Sequence, residues 1–431
     1  KGKCMNKLTD LIRNDMRPAF GVTEPGAIAF AVSTARSHTK GDIVSVEVAL
    51  NSGMYKNAFT CGIPNSQNFG NLYAAALGAV AADCNLGLES LKNVTPEDDA
   101  VAAKLVDEGK VKVTMSEVTS VISIVATVKT ESDTCTVTIK NHHTEIVKIE
   151  VNGEVVFAVE TESADGEAKE EHKAVIHEYT LHDMYEYACT VPAEDLAFIR
   201  DAHTMNLDLL KEGLSSGRAT LAGELYRANG EKILSDDALA SAQLLCGGAI
   251  EARVLGLSRP AMSITGSGSH GIIATMPLYA YFNIKYPGKD DETLLRATAL
   301  SHLVTMYIKE YSGVLSAFCG CGIASGTGMA CGLAFIEGAS EKQIEMVLLN
   351  MSSGIVGMVC DGGNHSCAMK AIVATDAAFR SANFAMKNIC IEGIHGINGL
   401  TPEDTMHNMG IIASEGMVQT EDTILKIMEN K

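Results

Sequence analysis

Apolar and polar residues alternate at period two in residues 43–50 (IVSVEVAL), and the alternation returns at 121–129, 134–140, 145–151 and 154–160. Such a pattern turns one face of a segment to a core and the other to water, so these are predicted strands. Asn152-Gly153 lies between the last two and predicts a tight hairpin turn, because both residues tolerate positive φ. Helical spacing at 26–37 and 71–92 interleaves with the strands, which predicts an α+β domain containing an antiparallel meander. The acidic stretch 160–173 (ETESADGEAKEEHK) has no apolar period and reads as an exposed loop or linker.

Beyond about residue 180 the alternation gives way to helical spacing, at 193–213, 235–256, 292–311, 323–336, 341–358, 367–389 and 403–429. The expected organisation is an α+β domain over 1–180 followed by a mainly α-helical domain over 181–431. The 39 glycines, 19 methionines and absence of tryptophan suit closely packed helices with adaptable cores.

Charge and cysteine usage narrow the function classes. The formal net charge is −19 with no basic stripe, so nucleic acid is not an expected partner. No run of about 18 apolar residues occurs, so no membrane-spanning helix is expected. The residues after Lys1 are polar and charged and do not resemble a secretory leader. The 12 cysteines are scattered through apolar and helical stretches rather than crowded into a short disulfide framework. A reducing cytoplasm is the expected compartment.

Three glycine-rich interruptions mark where backbone can approach a ligand: TGSGSHG (265–271), CGCGIASGTG (319–328) and CDGGNHSC (360–367). Cys84, Cys246 and Cys390 lie in apolar helical surroundings and read as core. Cys360 and Cys367 flank a polar, flexible segment that does not. With Cys319 they make three thiolates, one short of a closed four-ligand site; the spacing matches neither a zinc knuckle nor a ferredoxin run. The turn Gly266-Ser267-Gly268 precedes an apolar helix whose N–H groups could meet a carboxylate. His270 is a candidate base or hydrogen-bond donor. Glu24 before Pro25 is either catalytic or a helix N-terminal carboxylate, and His143 beside a strand is either a site residue or a surface histidine. Lys370 could form a Schiff base in a pyridoxal-dependent lyase, or simply an ion pair. Asp361 and Asn364 could orient the cysteine loop or merely form its turn.

The segments Leu315-Ser-Ala-Phe-Cys319, Gly357 through Lys370, Ala261-Met262-Ser263 through Pro277, Phe20 through Pro25 and His143 through Glu150 together resemble the L-cysteine desulfidase family, itself related to the helical α-domain of bacterial iron–sulfur L-serine dehydratases. The resemblance implies a [4Fe-4S] cluster on Cys319, Cys360 and Cys367 with one iron open to substrate, and Cys321 could replace Cys319. It implies β-elimination from a small amino acid, L-cysteine first, then L-serine or another β-substituted amino acid, with catalytic candidates His270, Glu24 and His143. Thr23, Ser267, Gly268, Ser269 and Asn364 are the implied substrate-facing set, and a homodimer is expected by family analogy. Two departures stand out. Val22 occupies the place of a family cysteine assigned a catalytic part, and Ser269-His270 replaces an Asn-Gln pair. A protein that kept the cluster and lost the chemistry would be a redox or iron sensor.

Overall fold

The computed structural model describes residues 2–119, 121–159, 174–313 and 316–431. Leu315 and the acidic stretch 160–173 expected as a linker lie outside these residues. The N-terminal part is an α+β unit and the rest is mainly helical, as the two hydrophobic periods predict.

In chain order the strands are β1 (Arg17–Ala19), β2 (Ile43–Leu50), β3 (Val111–Met115), β4 (Ser123–Thr130), β5 (Thr134–Lys140), β6 (Ile146–Val151), β7 (Glu154–Ala158) and β8 (Ala261–Ser263). Six of them form one sheet in the order β3-β2-β4-β5-β6-β7. The predicted meander is β4 to β7, antiparallel throughout, and its last turn carries Asn152 and Gly153 at φ 53° and 87°. Strand β3 was not expected from the pattern and pairs parallel to β2. The connection between them holds the helices α3 (Ser52–Ala58), α4 (Gly70–Val80) and α5 (Pro96–Asp107), the kind of crossover a parallel pair requires.

Helix α1 (Gly2–Asp15) precedes β1, and α2 (Thr23–Ser37) lies against β4 and β5. Burial on nearly every side of α2 fits its apolar, small-residue sequence. The helix expected over 71–92 ends at Val80, and a 3₁₀ turn follows over Cys84–Glu89. The Asp83 carboxylate accepts the Asn85 N–H and so starts the new turn.

The helical part comprises α6 (Leu181–Thr190), α7 (Arg200–Ser215), α8 (Thr220–Ala228), α9 (Ala238–Val254), α10 (Gly268–Lys285), α11 (Glu292–Ser312), α12 (Gly326–Ile336), α13 (Glu341–Ile355), α14 (Ser366–Met386), α15 (Pro402–Ile411) and α16 (Val418–Glu429). A π turn over Cys321–Ser325 replaces the start of the helix expected at 323, and a second over Ile412–Gly416 splits the one expected over 403–429. Helices α9 to α11 bury most of their residues and α12 nearly all of its own. Glycine lets them approach: a Cβ at Gly328 would lie 2.2 Å from the Ser301 carbonyl oxygen.

Two connections bring distant segments to one place. Strand β1 pairs antiparallel with β8, setting Arg17 opposite Ser263, so the start of α2 and the 265–270 turn become neighbours. The second is a short bridge between Phe318 and Val359, with Cys319 N–H bonded to the Met358 carbonyl at 3.0 Å and Cys360 N–H to that of Ala317 at 2.6 Å. Two of the three glycine-rich interruptions are thereby clamped together.

Candidate active site

A cavity of about 310 Å³ opens where these segments meet. Its wall includes Thr23, Glu24, His143, Ser267, Ser269, His270, Cys360 and Cys367, so the fold brings these residues to one place. Cys321 faces it, whereas Cys319, Gly268 and Asn364 are not among its lining residues.

Cys319 is buried behind Cys321, their sulfurs 3.5 Å apart. The hydrogen bond to Cys321, reinforced by burial, raises the Cys319 thiol well above its ordinary range. The same bond lowers Cys321 to about 7, helped against burial by the nearby Lys370 and Arg253 charges. Burial, with the fields of Cys321 and Cys360, pushes Cys367 up to about 12. Four thiols thus share one electrostatic neighbourhood. Among the described residues no three His, Cys, Asp or Glu side chains converge on a single point as ligands of one metal ion would; Cys321, Cys360 and Cys367 instead border a volume.

The 360–367 loop is fixed by its own polar groups. Asn364 donates to the Asp361 carbonyl at 3.2 Å and accepts the Ser366 N–H at 2.8 Å, so its amide serves the turn. Gly362 takes φ 103°, and a Cβ there would lie 2.4 Å from the Lys56 carbonyl oxygen, so the loop sits directly on α3. Lys370 is ion-paired to Asp361 and donates to Ser366 Oγ at 3.0 Å. Burial opposes its charge, but the Asp361 pair outweighs that and raises its pKa, so it stands as an ammonium and not as the free amine a Schiff base needs.

Glu24 lies in the first turn of α2, lines the same cavity and accepts the Asn57 amide N–H at 3.0 Å. His143 Nε2 is 4.0 Å from the same carboxylate oxygen and has no hydrogen-bond partner. Burial lowers the His143 pKa, partly countered by Glu24. His270 is held differently: its Nδ1 lies 2.6 Å from Thr265 Oγ1. Burial, together with the Lys309 and Arg253 charges, pulls it down to about 3, so it is a neutral imidazole at working pH. Thr265 has φ 48°, an uncommon conformation for a β-branched residue, and its N–H is fastened to the Asp15 carboxylate at 2.7 Å.

A profile of the serine dehydratase alpha chain family matches residues 85–426. The chain belongs to the serine dehydratase alpha chain family. Relatives designated UPF0597 protein extend the likeness to almost the whole chain: one from Clostridium botulinum is 38% identical over 431 residues, covering 98% of both chains. One from Caldanaerobacter subterraneus is 38% identical over 424 residues, again 98% of each, and one from Clostridioides difficile is 33% identical over 423 residues, 98% of this chain and 99% of the relative. The matched serine dehydratase alpha region contains the thiols, His143 and His270, while Val22 and Glu24 precede it.

Sequence reasoning did not single out Arg253, Lys309 or Asn57, all of which line the cavity. Lys309 is half-buried near the end of α11, donates to Ser312 Oγ at 3.4 Å and to the Gly313 carbonyl, and desolvation lowers its pKa to about 8. The available signal was Arg253, the only Lys or Arg of α9, in the largely apolar and small-residue stretch CGGAIEARVLG; Lys309 shares α11 with Arg296, Glu292 and Glu310 and carried no such signal.

Proposed function

We propose that this member of the serine dehydratase alpha family is an iron–sulfur-dependent lyase that carries out β-elimination on a small amino acid, L-cysteine foremost and L-serine or another β-substituted amino acid next. The observation that carries the reading is the convergence of Cys321, Cys360 and Cys367 with the Glu24–His143 pair on one cavity. The donor set fits a [4Fe-4S] group: soft thiols border a volume beside the Arg253, Lys309 and Lys370 cations, which favour thiolate. Cys360 and Cys367 would hold it with one member of the Cys319/Cys321 pair, and the cavity wall favours Cys321. When bound through three thiolates, such a cluster supplies an open Lewis-acid position for the β-substituent.

The chain's own groups then account for the proton. His143 is neutral near pH 7, its Nε2 is unsatisfied, and Glu24 stabilises the imidazolium formed when it accepts the α-proton. The C–H electron pair becomes the Cα–Cβ double bond as sulfide or hydroxide leaves. The aminoacrylate tautomerises and takes up water to give an oxo acid and ammonia. The neutral His270 serves as a hydrogen-bonding wall group, oriented by Thr265.

The test is anaerobic reconstitution with iron and sulfide, followed by a screen of L-cysteine, L-serine, L-threonine and their D-isomers for ammonia and oxo acid. Release from L-cysteine or L-serine is expected. A fully loaded protein that releases product from none of them would favour the sensor reading.

A further inference from the structure

The cavity wall also contains a positive charge that the elimination step does not use. Arg253 stands one residue from the end of α9 and is only 6% exposed. Its Nη1 donates to Ser269 Oγ at 3.0 Å, but its Nε has no hydrogen-bond partner, and no carboxylate of a described residue lies within ion-pair distance of the guanidinium. Glu24, a nearby negative group, is engaged with Asn57. The other negative groups whose field it feels are the Cys321, Cys367 and Cys61 thiols, but no hydrogen bond joins it to them. A buried guanidinium with an unsatisfied N–H and no bonded counter-ion is costly, so the arrangement has room for a small anion as well.

A second, independent feature lies against it. Helix α10 is 18 residues long, starts at Gly268, and its N-cap Ser267 makes no side-chain capping bond. The first-turn N–H groups and the helix dipole therefore favour negative charge at this end. Glycine at 268 is what allows the two features to meet: a Cβ there would lie 2.6 Å from Arg253 Nε and 3.0 Å from the Ala261 Cβ. Ser267, Ser269 and Arg253 all line the cavity that the thiols and His143 share.

We propose that Arg253 and the first turn of α10 form the recognition site for the substrate's α-carboxylate, so that the protein takes free amino acids and rejects their amides, esters and peptides. A guanidinium fork with backbone N–H donors matches a planar carboxylate in geometry as well as charge. The inference rests on the lyase reading for the fate of the bound molecule; recognition itself is measurable without turnover.

The test is calorimetric titration of the full chain, before and after anaerobic cluster reconstitution, with L-alanine and L-alaninamide. Neither carries a β-leaving group, and they differ only at the carboxyl position. The wild-type protein should bind L-alanine roughly 10- to 100-fold more tightly, the range expected of charge-assisted hydrogen bonds. Arg253→Met should bring the two probes to within about 2-fold, while Arg253→Lys keeps part of the difference. A merely structural arginine would weaken both probes equally. Equal affinities in the wild-type protein, or no binding of either probe, would overturn the proposal even if no variant folds. A folded Arg253→Met protein that still prefers L-alanine would also overturn it. Absence of product from cysteine or serine with the L-alanine preference intact would count against the lyase reading alone.

Discussion

Lys56 and Glu421 form an ion pair at 2.5 Å with side chains 1% and 7% exposed, and Lys56 Nζ also donates to the Ser316 carbonyl at 3.0 Å. The pair fastens α16 to α3, directly beneath the loop where Gly362 rests on the Lys56 carbonyl. Lys56→Met preserves much of the buried stem but leaves the Glu421 carboxylate without its counter-ion, a change that costs about 3–5 kcal/mol. At about 2.1 cal/mol/K per residue, a chain of 431 residues has an unfolding entropy near 0.9 kcal/mol/K, so the melting temperature should fall by about 3–6 °C. Glu421→Gln alone should also destabilise, because the ammonium then lacks its charge partner. The double variant Lys56→Met/Glu421→Gln should recover much of the loss, giving a coupling of about 2 kcal/mol or more between the two sites. The assay is thermal unfolding followed by far-ultraviolet circular dichroism at pH 7.5, with reversibility checked for each variant. A Lys56→Met protein that melts within 1 °C of wild type, or two single effects that simply add, would refute the argument.

Other consequences concern the thiols, the proton and the core. His143→Gln should lower kcat by roughly 100-fold or more while His270→Gln acts mainly on KM, both read from steady-state rates; the reverse ranking would make His270 the base. Cys321→Ala should reduce iron retention after anaerobic reconstitution more than Cys319→Ala, because Cys321 lines the cavity, and elemental analysis checks the order. Burial lowers His203 to about 4 and His302 to about 3. Their stability contribution is present above the unfolded value near 6.5 and is lost as pH falls towards the folded values, at about 1.4 kcal/mol per pH unit for each proton. His302→Leu should flatten the acid side of the stability profile by that amount, measured by denaturant titration between pH 6 and pH 4.5.

The local hydrophobic period made β4 to β7 and most helical stretches readable, and the Asn152-Gly153 turn was legible from backbone preference alone. Strand β3 was not: VKVTM is short, and its partner β2 lies 61 residues earlier on a parallel ladder, counting from Val111 back to Leu50. The π turn at Cys321–Ser325 was equally hidden, because glycine and serine permit several backbone paths. Glu24, His143 and the cysteine loops were visible as residue types in unusual settings. Their meeting depends on the β1–β8 pair and the Phe318–Val359 bridge, which no local pattern encodes. Arg253 escaped notice because a cation in the last turn of a helix already has an explanation in the helix dipole; only its burial and its unpartnered Nε reveal otherwise.

The central claim is that the thiol-bordered cavity holds an iron–sulfur cluster with an open position. Iron and acid-labile sulfide should be counted after anaerobic reconstitution of the wild-type protein and of Cys360→Ala, with circular dichroism confirming that both are folded. The account predicts about four iron and four sulfide per wild-type chain, and a severe loss of both in Cys360→Ala. Full loading of the folded Cys360→Ala protein, or no iron in the wild-type protein, would contradict it.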